Sequence, residues 1–232
     1  MVGSRAESGA SGCLSHVKSC EDRHLYKSSQ VHSVPTVEGR DAFAYLDTFA
    51  YGPQKEGVIH EVFDAGIVRG ARGSHRNYEP VTVSRTALLL SGGILLIADS
   101  YHHLRGEEIK IFFHLNSTNV IVEGSDVITQ DKDVNIRIIP VAADVLRTDI
   151  LDGRLSDVFY HDYPSKRAVF SRNTVQSQET FLFLVVPFLP GEVSVPEDIS
   201  LHDGSLTFRF RDWNYHITED ILGNQGIPHS GY

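Results

Sequence analysis

The sequence predicts an all-β fold, an antiparallel two-sheet β-sandwich. Short apolar runs recur along its 232 residues, with turn-forming residues between them. Several runs alternate polar and apolar residues, as in VTVSRTALLL (81–90) and DVNIRIIPV (133–141), and a period of two is typical of strands with one buried face. No segment has a convincing helical period. Strands with one buried face need a second layer to cover it, which favours two packed sheets.

The predicted strands can be read in chain order from these runs. They are GVIHEVF (57–63), VTVSRTALLL (81–90), GILLIADSY (93–101), EIKIFFHL (108–115), NVIVEG (119–124), DVNIRIIPV (133–141), RAVFS (167–171), ETFLFLVVPF (179–188), SLTFRF (205–210) and WNYHI (213–217). SGG (91–93) predicts a tight hairpin turn, and DGR (152–154) and HDGS (202–205) carry similar turn residues. The segment AADVLRTDILDG (142–153) fits either a short helix or two strands.

Two of the runs are apolar on both faces, GGILLIADS (92–100) and ETFLFLVVPF (179–188). We therefore expect these strands to lie centrally, between layers. The chain is 41% hydrophobic, which is enough for a substantial core. We expect one sandwich domain over residues 22–232, preceded by a flexible lead-in, residues 1–21, that is rich in Ser and Gly.

Charge and composition argue against several classes of protein. The chain has 21 Lys and Arg residues against 30 Asp and Glu, a net charge of −9, and a general nucleic-acid binder would carry a basic surface. No apolar run reaches the length of a membrane span. The two cysteines, Cys13 and Cys20, form no CxxC pair, so a thiolate zinc site is not expected. The start, MVGSRAESGASGC, has no apolar run after Arg5 and does not read as a secretory signal.

The 12 histidines raise the question of a metal site, although none is arranged as HxH or HExxH. His102 or His103, together with His114 across a hairpin and with Asp99, would supply the ligands of a small metal enzyme with a cupin-like barrel. The alternative is that these are edge or loop histidines with ordinary hydrogen bonds. No GxSxG, GxGxxG or P-loop pattern is present.

Arginines cluster at Arg69, Arg72 and Arg76, with Arg85 further on. A planar guanidinium grips a carboxylate or sulfate with two hydrogen bonds, so this cluster is a candidate site for an acidic sugar. The alternative is a solvated loop with surface arginines. Exposed aromatic residues on one sheet face would also favour sugar binding, and the candidates are Trp213, Tyr215 and Tyr163.

Two longer stretches resemble the heparinase II/III-like polysaccharide lyases. The first is RHLYKSSQVHSVPTVEGRD (23–41), with an arginine, a tyrosine, small polar residues, His-Ser and a Val-Glu-Gly turn. The second is ARGSHRNYEPVTVSRTALLLSGGILLIADSYHHLRGEEIKIFFHL (71–115), with a His and Tyr before an Arg on a strand, an apolar strand ending in Asp, and a strand ending in Phe-His-Leu. The order and spacing of the motifs match across roughly residues 22–220.

The resemblance implies an architecture and a set of site residues. Members of this family have an N-terminal helical toroid followed by an antiparallel β-sandwich, and this sequence resembles the sandwich part only. The resemblance implies substrate-binding roles for His75, Tyr78 and Arg85. It implies that His32 is a metal ligand, since in zinc-containing members the matching histidine completes the ligand set. A His-x-His motif and a metal-binding Asp precede that histidine in the family, and this sequence has neither.

The implied reaction is β-elimination beside a uronic acid in an acidic polysaccharide. The enzyme must neutralise the uronate carboxylate, remove the adjacent proton with a base, and protonate the leaving oxygen. The family takes most of these groups from the toroid and the first strands of the sandwich. We therefore expect this chain to be incomplete and inactive alone, with a separate toroid domain as a partner and with zinc or another divalent metal only in full-length members. A periplasmic, cell-envelope or secreted location follows from the resemblance alone. The alternative function is a non-catalytic carbohydrate-binding or structural sandwich.

Overall fold

The protein is built almost entirely of antiparallel strands. A computed structural model describes residues 21–47, 49–141, 146–158, 161–192 and 195–222. The strands are β1 (Pro35–Val37), β2 (Gly57–Asp64), β3 (Val68–Tyr78), β4 (Val81–Leu90), β5 (Leu95–His102), β6 (Glu108–Leu115), β7 (Val120–Glu123), β8 (Asp126–Thr129), β9 (Asn135–Val141), β10 (Arg147–Val158), β11 (His161–Asn173), β12 (Gln178–Phe188), β13 (Glu197–His202), β14 (Ser205–Phe210) and β15 (Trp213–Ile217). Two short α-helices are described, α1 (Glu21–Lys27) and α2 (Glu219–Leu222), with single 3-10 turns at Ser29–Val31 and Ser91–Gly93.

The described strands form three sheets. The first has four strands in the order β1-β6-β11-β10, and the second has eight in the order β2-β3-β4-β5-β12-β9-β8-β7. A third sheet, β13-β14-β15, is small. The two larger sheets are the sandwich that the sequence predicts. The small third sheet is an addition that the two-sheet prediction lacks.

The eight-stranded sheet contributes side chains to two hydrophobic cores. The first core lies between it and the four-stranded sheet, and the second lies between it and the third sheet. Strand β12 shows how alternation serves both cores, because Phe181 and Phe183 enter the first core while Leu182 and Leu184 enter the second. The expectation that the doubly apolar runs lie between layers is thereby confirmed.

The apolar pattern did not predict strands β1, β3, β8 and β13, and it left the first part of β10 ambiguous. The arginine-rich segment before Tyr78 is β3, paired along its length with β2 and β4, and it is not a loop. DGR (152–154) lies inside β10, so the predicted turn there is wrong. Residues 142–145 of the ambiguous segment lie outside the described residues, and the rest from Arg147 onward is strand.

The other two predicted turns are confirmed. SGG (91–93) forms the connection between β4 and β5. HDGS (202–205) is the turn between β13 and β14, with Asp203 and Gly204 both at positive φ, 48° and 72°. Two central residues at positive φ are typical of a hairpin turn whose twist matches that of the strands.

The lead-in, residues 1–21, falls outside the described residues apart from its last residue, which begins α1. Within the described part of the chain, no helix is both long enough and apolar enough to cross a membrane.

A bulge changes the direction of side chains on β2, the edge strand of the eight-stranded sheet. The register with β3 shifts between Ile59 and Glu61. As a result, Ile59 and Val62 lie opposite Gly73 and Ala71 and point to one face of the sheet, although they are three positions apart. We call this surface the β2–β4 face, and its residues are Ile59, Val62, Ala71, Ala87 and Leu89.

Candidate functional site

A groove runs between the β2–β4 end of the eight-stranded sheet and the chain from Lys27 to Tyr51. Its volume is about 690 Å³. We call it the His32 groove, because His32 lies in its wall together with His75, Tyr78 and Arg85. The structure therefore brings together all four residues that the resemblance points to, although they lie on three separate parts of the chain. Their roles in binding substrate or metal stay predictions.

Arg85 is held by a buried carboxylate. Its Nε and Nη2 donate to the two oxygens of Asp99 at 2.7 and 2.8 Å, and its Nη1 donates to the Ser33 carbonyl at 2.5 Å. The Asp99 side chain is 0% exposed and that of Arg85 is 25% exposed. Burial alone would lower the pKa of Arg85, but the charge and hydrogen bonds of Asp99 outweigh it and raise that pKa. The guanidinium thus fixes Ser33, and with it the neighbouring His32.

Tyr78 forms part of the groove wall, but its hydroxyl is turned inward. The hydroxyl donates to the Pro35 carbonyl at 3.2 Å, and the residue is 1% exposed. Burial raises the pKa of Tyr78 to about 12. The phenol is therefore protonated at neutral pH, so in this conformation Tyr78 shapes the groove and does not offer it a base.

His75 lies on β3 with its ring against that of Tyr78, at 5.7 Å between ring centroids. The Asn77 backbone N–H donates to its Nδ1 at 3.3 Å, which leaves the proton of the neutral ring on Nε2. Burial lowers the pKa of His75, and the positive charge of Arg85 lowers it further against the opposing charge of Asp99. His75 is therefore a neutral imidazole at pH 7.

His32 ends the 3-10 turn that follows α1, and its backbone N–H donates to the Ser29 carbonyl at 3.2 Å. Burial lowers its pKa, although the Tyr26 backbone and the charge of Asp41 act in the other direction. A neutral ring at pH 7 is the form that binds metal.

The described residues do not supply the rest of a metal site. Among them, no three His, Cys, Asp or Glu side chains are grouped so that they could hold an ion. A structural or catalytic zinc needs three or four protein ligands. His32 alone does not meet that requirement, so no step of the chemistry below depends on a metal.

His114 lies next to His32 and is among the most buried polar residues. Its Nε2 donates to the Gln30 carbonyl at 3.3 Å, and its buried Nδ1 has no hydrogen-bond partner among the described residues. Burial is the main reason that its pKa lies at about 4; the hydrogen bond to the Gln30 carbonyl raises that pKa, and the neighbouring Arg167 and His32 lower it. Arg167 Nη1 donates to the same Gln30 carbonyl at 3.0 Å.

The prediction of a cupin-like metal site is wrong, because the structure does not bring its ligands together. His102 and Asp99 lie on β5 of the eight-stranded sheet, whereas His114 lies on β6 of the four-stranded sheet. The predicted hairpin between β5 and β6 does not exist, because β5 pairs with β4 and β12. Asp99 is moreover engaged by Arg85.

The arginine cluster does not converge on one ligand position either. Each of the three β3 arginines has its own acidic neighbour: Arg69 lies 3.3 Å from Asp64, Arg72 3.0 Å from Glu61, and Arg76 2.7 Å from Glu79. Two of the aromatic candidates do not form a joint sugar-binding surface. Tyr215 is buried in the second core and stacked on Phe208, whereas Trp213 is 40% exposed.

Sequence reasoning missed one wall of the groove. Phe43 and Tyr51 lie on the loop that follows β1, and Lys27 of α1 packs against that loop. No motif joins these residues in the sequence. Only the fold brings α1 and the loop together, so no local signal would have revealed the wall.

Comparison with known proteins agrees with this fold. Residues 6–186 match the family model described as heparinase II/III-like, C-terminal. Compared by sequence, no curated protein matches the chain. Among solved structures, the heparan sulfate lyase HepC of Pedobacter heparinus superposes with a TM-score of 0.75 at 14% identity, over 90% of this chain and 34% of that chain. A mutant of the same lyase gives a TM-score of 0.74 at 15% identity, with the same coverage.

A structure described as heparinase III gives a TM-score of 0.69 at 12% identity, over 89% of this chain and 32% of that chain. At such identities the likeness concerns the fold. The chain spans about a third of the length of these solved structures.

Proposed function

Because the chain belongs to the heparinase II/III-like C-terminal family, we propose that it is the β-sandwich domain of a polysaccharide lyase, which cleaves a uronic-acid polymer by β-elimination. The observation that carries the proposal is the His32 groove. It gathers two neutral histidines, a tyrosine and a fixed arginine along one open cleft. A cleft of this size accommodates part of a polysaccharide chain.

The groove residues fit the binding half of the reaction. A neutral imidazole such as His75 donates from Nε2 to a sugar hydroxyl or carboxylate, and Arg85, whose side chain is 25% exposed, lines the groove with it. Tyr78 holds the wall in place through Pro35. We propose the predicted set His75, Tyr78 and Arg85 for substrate binding, with His75 in contact with the sugar and with Tyr78 and Arg85 supporting the groove wall. His32 as a ligand of zinc or another divalent ion belongs to the proposal only where other groups complete the site.

The chemical half of the reaction needs a group that the groove does not offer. Neutralising a uronate carboxylate takes an available cation, but Arg85 is neutralised by Asp99, Lys55 pairs with Glu79, and the Lys27 ammonium donates to the Asp47 and Ala50 carbonyls. Abstracting the proton takes a base; the Tyr78 hydroxyl stays protonated, which leaves the neutral imidazoles of His32 and His75 as the candidate bases of the groove. We therefore propose that this chain binds the polymer but does not cleave it alone.

A further domain would complete the site, and the β2–β4 face is where we place its contact. Ile59 and Val62 are 69% and 72% exposed on the side of the sheet that also bears the groove. Large aliphatic side chains exposed together mark a protein interface, whereas sugars are bound by aromatic and polar groups. We propose that a helical domain, as in the resembling lyases, packs here.

The purified 232-residue chain tests the proposal. It would be titrated with unsulfated and sulfated uronate oligosaccharides by isothermal calorimetry, and the same mixtures would be followed by ultraviolet absorbance for unsaturated uronate. We expect binding without new absorbance, weakened by His75→Ala and unchanged by His216→Ala on the exposed face of β15. New absorbance would show that the chain is active alone, and absence of binding to every uronate polymer would refute the proposal.

The alternative, a carbohydrate-binding module without any catalytic role, makes a different prediction in the same titration. It places the sugar on the third sheet at Trp213. If Trp213→Ala abolished binding and His75→Ala did not, the alternative would replace the lyase domain.

A further inference from the structure

We infer that Tyr51 is a stacking platform for a sugar ring in the His32 groove, with Lys27 as the residue that positions it. The inference rests on the proposed function, because it assumes that a polysaccharide occupies the groove. Tyr51 is 39% exposed and lines the groove together with Phe43, whose ring meets it edge-on at 5.8 Å between centroids. Phe43 and Tyr51 follow β1 in the chain, whereas His75 and Arg85 of the substrate-binding set lie on β3 and β4.

Hydrogen bonds among the described residues near Tyr51 hold this residue in place. Tyr45 and Tyr51 form an antiparallel bridge, and the Gly52 N–H donates to the Ala44 carbonyl at 2.7 Å. A Cβ at Gly52 would lie 2.9 Å from the Cβ of Ala44, so only glycine permits this close approach. Asp47 Oδ1 accepts from the backbone N–H groups of Phe49 and Ala50 at 2.7 and 2.9 Å.

Lys27 ties this loop to α1 and covers one face of the Tyr51 ring. Its ammonium donates to the carbonyls of Asp47 and Ala50 at 2.9 and 3.3 Å. The same nitrogen lies 3.7 Å from the centre of the Tyr51 ring, which is cation–π geometry. Because the ammonium occupies one face of the ring, a sugar would have to stack on the other face. A platform fixed in advance loses little conformational entropy when a ligand binds.

The chemistry of the wall favours a sugar over an apolar protein segment. A pyranose ring carries C–H groups on its face and hydroxyls around its rim, so it stacks on an aromatic ring while its rim reaches polar groups. The groove supplies both, since Tyr51 and Phe43 stand on the same cleft as the neutral His75 and His32. The β2–β4 face, which contributes Ile59, Ala71 and Ala87 to the same groove, has no aromatic member among its five residues.

The test uses the 232-residue chain and a defined probe, an unsulfated tetrasaccharide of alternating glucuronate and N-acetylhexosamine, with a mannuronate tetrasaccharide as a second probe. Isothermal calorimetry would compare wild type with Tyr51→Ala, Tyr51→Phe and Lys27→Met. We expect Tyr51→Ala to weaken binding about threefold to tenfold, Tyr51→Phe to bind as wild type, and Lys27→Met to lie between them. His216→Ala is the matched control, as it removes an exposed ring from another surface.

The outcomes separate this inference from the proposed function. If wild type binds neither these probes nor the sulfated uronate oligosaccharides, the proposed function fails. If wild type binds and Tyr51→Ala binds equally well, Tyr51 is not the platform and only this inference fails. Saturation transfer in NMR gives a second measurement that needs no variant to fold. Transfer from tyrosine ring protons to sugar C–H protons supports stacking, and transfer confined to histidine and methyl protons overturns it.

Discussion

Arg85 and Asp99 stand equally far from Gly92, at the centre of the β4–β5 turn, and therefore face each other in neighbouring strands. The two hydrogen bonds between them join a fully buried carboxylate to a guanidinium at the edge of the groove. The pair lies between the first core and the site, so its removal affects both stability and the position of His32.

Removing the arginine is expected to cost far more stability than removing an exposed partner. Arg85→Met leaves the Asp99 carboxylate buried without a counter-charge, and breaking such a pair costs about 3–5 kcal/mol. Lys55→Met breaks the exposed pair with Glu79 and is expected to cost less than about 1 kcal/mol. Urea denaturation measures both. Equal losses in the two variants would contradict the buried ion pair.

The stability of the domain is expected to fall on mild acidification because of His114. Its pKa is about 4 in the folded chain against 6.5 for an ordinary histidine. Between these values the unfolded state binds more protons than the folded state. The contribution of His114 is therefore fully present above pH 6.5 and is lost as the pH falls toward 4, on the order of 2–3 kcal/mol.

Free energies of unfolding measured from pH 7 to pH 4 would test this dependence. His114→Gln keeps a donor near the Gln30 carbonyl but has no titrating ring, so its curve should be flatter than that of wild type. His216→Gln is the control and should keep the wild-type slope. A His114→Gln curve parallel to wild type would rule out His114 as the source.

Two glycines of the β2–β3 hairpin are expected to lose very different amounts of stability when replaced by alanine. A Cβ at Gly70 would lie 2.0 Å from the Ala87 carbonyl oxygen, and backbone atoms cannot rotate away. A Cβ at Gly57 would meet only the Ser74 carbonyl oxygen, at 3.8 Å. We expect Gly70→Ala to lose about 2–3 kcal/mol and Gly57→Ala to lose less than about 0.5 kcal/mol. Thermal unfolding distinguishes them, and a Gly70→Ala protein as stable as wild type would mean that β3 and β4 lie further apart.

The exposed β2–β4 face is expected to make the isolated chain self-associate. Replacing Ile59 and Val62 together by serine and threonine should lower the association seen by analytical ultracentrifugation, without reducing stability, because both side chains are mostly exposed. Val175→Ser removes a single apolar side chain that is 75% exposed elsewhere, and it should leave association unchanged. Association that persists in the double variant would show that another surface of the protein causes the self-association.

The sequence predicts the strands that carry a strong apolar pattern and misses those that do not. Strands β5 and β12 are apolar at consecutive positions, so their central place follows from composition. Strand β3 reads VRGARGSHRNY and has few apolar residues, so no apolar pattern predicts it. It is a strand nevertheless, because its backbone pairs with β2 on one side and with β4 on the other. Strand β10 was ambiguous for a similar reason, since acidic and basic residues interrupt its apolar ones.

The site was predictable only in part. The Arg85–Asp99 pair could have been found from the SGG turn, because residues equidistant from its centre face each other in a hairpin. The joint presence of His32, His75, Tyr78 and Arg85 in one cleft came from the family resemblance, since spacing along the chain does not show which distant residues meet. The contact between Lys27 and Tyr51 depends on how α1 packs, which no local pattern records.

The eight-stranded sheet contributes side chains to both hydrophobic cores and so connects them. Phe183 and Leu184 are neighbours on one backbone, yet they anchor opposite sides of the molecule. The ladder of hydrogen bonds through β12 cannot open for one of them and remain closed for the other. Without the third sheet, the apolar side chains that β12 contributes to the second core would be exposed to water, so the outer face of the eight-stranded sheet needs this third layer.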